Sequence, residues 1–308
     1  MSRVILTLLI LIFVKAAWAE AQIPDPQVVK INDRVYALLG PLGLPSPHNQ
    51  GYMANSTVII GDHGVILVDS GGTDEVGKHL AKAIAGITPK PVTHIINTHH
   101  HGDHVLGNVA FKGAEIISSE QCKVLVEKTG MEWVQIMENM VGRKFPNTRP
   151  VSAMLTFKEE SSNSRSIQGV KMVLWVPRGS HTPGDMMVYL PDDRVLIGGD
   201  ILVNTTTPAM RDGHIRNWVG ALAQAREFDA TTIVPGHGPF MNKSDVAKLH
   251  SLMAGFYAGV EAGYKKGLSD SEIRGTLDLS EWINLHEFET NMGGNINRAY
   301  LEVEAANF

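Results

Sequence analysis

Residues Val92 to His104 read VTHIINTHHHGDH, a β-branched apolar run that ends at once in a cluster of ionisable side chains. A run of this kind predicts a buried strand over Val92 to Asn97, which puts the histidines on the loop leaving its C-terminal end. Four metal-capable side chains, His99, His101, Asp103 and His104, fall within six residues. Across an extended turn His99 and His101 project to the same side and can share one cation, while Asp103 and His104 open a helix and face a second position beside it. A packed loop has no structural use for ionisable groups at such density.

The rest of the chain alternates in a compatible way. Short β-branched runs at Val35 to Leu39, Ser56 to Ile60 and Val65 to Asp69, separated by Gly, Pro and Asn, predict a meander of strands. A helical pattern over Thr73 to Ala85 precedes the Val92 strand. A helix from Asp103, a strand at Ala114 to Ser118 and a long helix from Ser119 to Val141 follow it. The segment Arg143 to Ala153, with Pro146 and Pro150, breaks the helix and links two halves. The second half repeats the order: strands at Met154 to Phe157, Val170 to Val176, Met186 to Leu190 and Val195 to Gly198, a helix over Asn217 to Phe228, strand Thr231 to Val234, then helices. Strands then helices, twice over, predict an α/β (α+β) fold of two sheets packed face to face with helices outside. At 308 residues, 44% hydrophobic and 19% charged, the chain can bury such a core, and disordered, collagen-like and coiled-coil classes are excluded.

Charge and cysteine usage narrow the chemistry. The formal net charge of −5, with basic residues scattered, excludes a nucleic-acid partner bound by electrostatics and leaves a small-molecule substrate as the expected one. The single cysteine, Cys122, removes a disulfide framework, a Cys-rich zinc site and a CxxC redox motif together, and is expected to be a buried thiol.

Three later residues share the context of the histidine cluster. His181 sits in GSHTPG, Asp200 ends the strand phrase LIGGD, and His237 lies in VPGHGP, each at or just after a strand end where glycines let the backbone turn. With these, the sequence resembles the metallo-β-lactamase-fold hydrolase superfamily, whose HxHxDH signature falls on His99, His101, Asp103 and His104. The resemblance covers essentially the whole mature chain and implies a four-layer αββα sandwich with two metals at one edge. It implies that His99, His101 and His181 bind the first metal, that Asp103, His104 and His237 bind the second, and that Asp200 bridges them. Asp69, closing the strand GVILVD, matches the family's acidic residue beneath the metal loop and is expected to hold that loop by hydrogen bonds.

Imidazoles and carboxylates without a thiolate suit two zinc ions per chain, and also accept iron or manganese. Two such cations about 3.5 to 4 Å apart lower the pKa of a water between them and supply hydroxide near pH 7, with Asp103 placed to steer it and accept its proton. Within the superfamily, the resemblance implies a bridging Asp in glyoxalase II and many lactone, thioester and phosphoester hydrolases, and Cys or Ser there in zinc β-lactamases. Asp200 therefore points to ester, thioester, lactone or related acyl hydrolysis. β-Lactam hydrolysis and an iron-dependent persulfide dioxygenase are the alternatives. The strand phrase VTHIINT and the terminal NINRAYLE look most like periplasmic zinc metallohydrolases found with quinoprotein relay and sulfur-oxidation systems.

The N-terminus reads MSRVILTLLILIFVKAAWAEAQ, a basic start, an apolar run too short to span a bilayer, and an Ala17-Trp18-Ala19 cleavage site. Residues 1–19 are expected to be a signal peptide and 20–308 one domain of two pseudo-repeated halves, periplasmic or secreted, with no stable membrane insertion once the leader is removed. The Gly- and Pro-rich loop Gly40 to Asn55 corresponds in position to a mobile flap. The methionines of Met131 to Met140 are expected to fill core, and His48, His94, His100, His214, His250 and His286 to be ordinary surface or loop residues.

Overall fold

The computed structural model describes residues 22–307, so the expected leader lies outside the described residues. The first sheet places β1 (Gln27–Lys30), β2 (Val35–Leu39), β3 (Ser56–Ile60), β4 (Val65–Val68), β5 (Val92–Ile96), β6 (Glu115–Ser119) and β7 (Leu155–Phe157) side by side in chain order. The second runs β12 (Thr232–Val234), β11 (Val195–Ile197), β10 (Met187–Leu190), β9 (Val170–Val176) and β8 (Ser161–Ile167). Each sheet begins as an antiparallel meander and ends in parallel pairs, β4 to β7 in the first and β11 with β12 in the second. Parallel neighbours need crossovers. These are α1 (Asp74–Ile87), the short α2 (Gly102–Val105) with the 3-10 turn Leu106–Ala110, α3 (Glu120–Val141) and α4 (Ile215–Ala225).

The side-chain alternation of the strands sets the layers. In β4, Ile66 and Val68 face the second sheet and meet a core that includes Leu174, Val188 and Val234, while Val65 and Leu67 face outward onto Val76, Leu80 and Ile84 of α1. A strand covered on both faces has no polar face to show, which is why it reads VILV. The outer face of the second sheet, through Met187, Leu196 and Ile233, packs on α4, α5 (Lys243–Lys265) and α7 (Phe288–Ala305), with the short α6 (Asp270–Arg274) beside them. The layer order is therefore the expected αββα. Helix starts follow from local chemistry. Thr73 accepts the Val76 N–H at the start of α1, and Ser119 accepts the Cys122 N–H at the start of α3, which ends at Gly142 in the left-handed region. Among the described residues, no helix is long and apolar enough to cross a membrane.

Three readings change. Leu155–Phe157 belongs to the first half: Leu155 pairs with Ile117, parallel to β6, and the Met154 N–H donates to Ile116 O. The halves thus meet after β7, not at Arg143 to Ala153. Strands β1 and β8 have no counterpart in the pattern. β8 reads SSNSRSI because it is an edge strand with mostly exposed side chains. Its register on β9 is set by the turn at Gln168 and Gly169, both at positive φ, which suits a tight hairpin. Cys122 is buried and unpaired, and burial pushes its thiol up to about 12. Of the α3 methionines only Met137 fills core, whereas Met131 and Met140 are exposed.

Candidate metal centre

The site lies where strand ends of both sheets meet. Asp69 follows β4, the histidine loop follows β5, His181 lies between β9 and β10, Asp200 sits in the 3-10 turn Gly199–Ile201 after β11, and His237 follows β12. Two donor groups form there: His99, His101, His181 and Asp200, and next to them Asp103, His104 and His237. The Asp200 carboxylate spans both. Its Oδ1 is 3.3 Å from His104 Nε2, and its Oδ2 is 3.4 Å from His237 Nε2, 3.5 Å from His181 Nε2 and 3.8 Å from His99 Nε2. Asp103 Oδ2 closes the second group at 3.2 Å from His237 Nε2 and 3.4 Å from His104 Nε2. All seven side chains are buried.

The donor set fits metal ions. His99 Nε2 and Asp200 Oδ1 face the centre, are buried and make no hydrogen bond, a cost that a coordinated cation removes. Ring nitrogens also approach one another, His181 Nε2 to His101 Nδ1 at 3.0 Å and His104 Nε2 to His237 Nε2 at 3.4 Å. Lone pairs directed at a common point are stabilised by positive charge placed there.

Hydrogen bonds behind the groups fix which nitrogen faces inward. Asp69, held at φ 58, accepts the Thr98 N–H at 2.8 Å, the Thr98 Oγ1–H at 2.7 Å and His104 Nδ1–H at 2.8 Å. With its hydroxyl proton committed to Asp69, Thr98 Oγ1 accepts from His99 Nδ1 at 3.0 Å. Both rings therefore turn Nε2 toward the centre. His101 is reversed: its Nε2–H donates to Asp212 Oδ2 at 3.0 Å, leaving Nδ1 inward. Asp212 was not signalled by the sequence, since a single Asp in a loop twelve residues past Asp200 carries no pattern.

Charge divides the two groups. Burial pushes His99 down and His181 down to about 3, so both are neutral. Burial also works against a charge on His104 and His237, but the Asp200 and Asp103 carboxylates outweigh it, raising His104 well above its ordinary value and His237 to about 10. Burial opposes ionisation of Asp103 and Asp200 too, and the two imidazoles overcome it and hold both carboxyls low. A cation taken up by the second group would displace protons from His104 and His237, so such uptake would strengthen as pH rises.

His100 is a correction. It is buried rather than a surface residue, with His101 at 4.8 Å and Trp133 at 6.4 Å between ring centroids, and Trp133 stands over the loop from α3. His100, His101 and Asp212 form a third cluster that shares His101 with the first. His94 is half-buried beside Glu115, and His214 starts α4 with its ring next to Glu302. The inner part of the Gly40 to Asn55 loop is packed rather than free: Asn49, Gln50, Gly51 and Tyr52 are buried, and Asn55 Nδ2 donates to Pro235 O and Gly238 O beside His237.

The sequence profile of the metallo-beta-lactamase superfamily matches residues 50–237, and the chain belongs to that superfamily, a class of metal-dependent hydrolases. It is 28% identical over 212 residues to a linear primary-alkylsulfatase of Pseudomonas sp. (strain ATCC 19151), a match covering 57% of this chain and only 39% of the relative. It is 25% identical over 207 residues to a metallo-beta-lactamase type 2 of Bacillus sp. (strain 170), covering 65% of this chain and 71% of that one. In three dimensions it is similar to the inverting sec-alkylsulfatase Pisa1 from Pseudomonas sp., with a TM-score of 0.66 at 18% identity over 89% of this chain and 50% of the other. It is also similar to a metallo-beta-lactamase from Pontibacter korlensis, with a TM-score of 0.60 at 22% identity over 74% and 99%.

Gly236 shows how tightly the bridge is seated. A Cβ there would lie 1.9 Å from Asp200 Oδ1 and 2.8 Å from Gly199 C, while its φ is not in the left-handed region. Gly236→Ala is therefore expected to displace the Asp200 carboxylate and to push the backbone locally at Gly199 and Asp200, with the rest of the fold kept. Metal content should fall below that of the unmodified chain while the circular dichroism spectrum stays unchanged. Undiminished metal content would show that Asp200 moves aside without consequence.

Proposed function

We propose that the chain is an exported hydrolase holding two zinc ions, cleaving an ester, thioester, lactone or related acyl bond. The observation that carries this reading is the Asp200 carboxylate set between two donor groups, each of which supplies three further nitrogen or oxygen donors. His99, His101 and His181 would hold one ion, Asp103, His104 and His237 the other, and Asp200 both. When bound, the ions lower the pKa of an attacking water toward neutrality and polarise the bond to be cleaved. Asp103 Oδ2 stands at the second group, 3.2 Å from His237 Nε2, where it orients the nucleophile and receives its proton. Thr98 and Asp69 keep the His99 and His104 rings fixed, so no reorientation is needed as charge develops.

Two observations favour sulfate esters as a further substrate class beside the acyl ones. One is the 28% identity to an alkylsulfatase. The other is Arg211, which is exposed, pairs with Asp212 at 3.1 Å and lies above the Trp133 ring, which itself packs on His101 at 4.7 Å between centroids. Similarity to the Bacillus metallo-beta-lactamase supports β-lactams as the second reading.

The zinc-loaded chain is tested on thioesters, lactones, aryl esters, alkyl sulfates, phosphodiesters and β-lactams with metal counting alongside. Two zinc ions per chain are expected, falling to one in His237→Ala, with turnover of an ester class. A maximum of one metal under zinc-replete conditions, or iron at one per chain with oxygen uptake, would overturn the reading. Export rests on the apolar run ending in Ala17-Trp18-Ala19. Mass spectrometry of the protein from its host should find Glu20 at the N-terminus, and a chain still starting at Met1 would refute cleavage.

A further inference from the structure

Helix α7 carries a polar stripe whose partners form one continuous loop. Asn291, Asn295, Arg298 and Glu302 are spaced by four, three and four residues, which puts them on one helix face. Asn291 Nδ2 donates to Thr207 O at 3.3 Å. Asn295 Nδ2 donates to Pro208 O at 2.8 Å, and its Oδ1 accepts the Met210 N–H at 3.0 Å. Arg298 Nε donates to Gly213 O at 2.7 Å. The Glu302 carboxylate accepts the N–H groups of Ile215 at 2.7 Å and Arg216 at 3.0 Å, at the start of α4. The stripe grips the backbone from 207 to 216 in sequence order. Asn295 and Glu302 are buried, and a buried amide or carboxylate is costly unless its partners are in place, so the loop is held in one conformation. Asp212 lies within this loop, between the Met210 amide held by Asn295 and the Gly213 carbonyl held by Arg298, and it is the acceptor for His101 Nε2.

We propose that α7 is a positioning element for the metal centre, its polar stripe setting the 207–216 loop so that Asp212 locks His101 with Nδ1 turned toward the first donor group. Without that lock the imidazole is free to exchange tautomers or rotate away from His181, and the first group loses one of its four members. The second group, Asp103, His104 and His237, has no hydrogen bond to this loop and keeps its donors. The proposal rests on the metal reading of the site.

The test uses the whole chain and two readouts. The first is zinc affinity at each group by chelator competition; the second is the 15N NMR tautomer of His101 in metal-free protein. Arg298→Met and Asp212→Ala should each weaken the first group by about 10- to 100-fold, the size seen when a metal ligand loses its orienting partner, and leave the second nearly unchanged. Because Arg298 acts through Asp212, the double variant should bind no more weakly than Asp212→Ala alone, within about twofold. Arg298→Lys, which keeps a donor for Gly213 O, should restore most of the affinity. His101 should carry its proton on Nε2 in the unmodified chain and exchange between nitrogens in Arg298→Met. Equal weakening of both groups, additive losses, or an unmoved tautomer with unmoved affinity would overturn the proposal. Should Arg298→Met not fold, Arg298→Gln takes its place in the same comparison. If the unmodified chain takes up no zinc, the metal reading falls and the tautomer comparison still decides whether α7 positions His101.

Discussion

Asp200→Ser is expected to weaken binding of the second metal by about 10- to 100-fold or more, a scale at which even indirect contacts to metal ligands act, and to reduce hydrolysis in proportion to metal lost. The size follows from where the carboxylate stands. Its two oxygens reach His104 on one side and His237, His181 and His99 on the other, all between 3.3 and 3.8 Å. A serine hydroxyl has one oxygen, a shorter reach and no charge, so it cannot serve both groups or offset two cations in a buried site. The turn itself should survive, because Gly199 O still accepts the Gly236 N–H and Leu202 O does the same. Chelator competition and metal counting measure the first effect, and turnover at saturating zinc measures the second. Two tightly held metals with full turnover would remove Asp200 from the bridge and with it the main support for ester hydrolysis.

Asp69→Ala is expected to cost about 3–5 kcal/mol of folding stability in metal-free protein, the range found when one member of a buried charged hydrogen-bonded set is deleted. It strands three donors at once, the Thr98 N–H, the Thr98 hydroxyl and His104 Nδ1, all on residues buried from bulk solvent. Part of the loss is offset by nothing local, because Asp69 sits at φ 58, where alanine is no more comfortable than aspartate. The variant should also lose affinity for zinc at both groups, since His99 is held through Thr98 and His104 directly. Denaturant unfolding of the chelated protein gives the stability change. A loss below about 1 kcal/mol, the size of a single ordinary hydrogen bond, would mean that the loop is held by its backbone alone.

The fold was legible wherever burial wrote a pattern into the chain. Strands β4, β5 and β9 and helices α1 and α3 have apolar positions dictated by the layers on either side, and their order implied two sheets under helices. β1 and β8 left no such trace, because edge strands owe their structure to a neighbour's hydrogen bonds rather than to apolar side chains. β7 reads as part of the second half from sequence alone, because three residues carry no information on which sheet they join. At the site, clustering and glycine context marked every side chain that the two donor groups contain. Residues acting at one remove divide sharply. Asp69 was legible through the family resemblance, as the acidic residue closing the strand GVILVD, whereas Asp212 and the α7 stripe were not, since their role lies in contacts across 80 or more residues of chain. His100 misled because strict alternation points it away from its neighbours, and only the arrival of Trp133 from α3 encloses it.

The chain crosses from the first sheet to the second in the three residues 158–160, between β7 and β8. Upstream of that crossing lie His99, His101, Asp103 and His104, and downstream lie His181, Asp200 and His237. Each donor group therefore draws members from both halves, and neither half owns a complete one. An ion held there works as a rivet through a seam. The free energy of its binding, which grows with the logarithm of free metal over its dissociation constant, is spent on keeping two sheets together. Chemistry and assembly are then inseparable traits of this molecule. A substitution that loosens the shared core around Ile66 and Leu174, remote from any reacting atom, would be felt first as a faulty grip on metal.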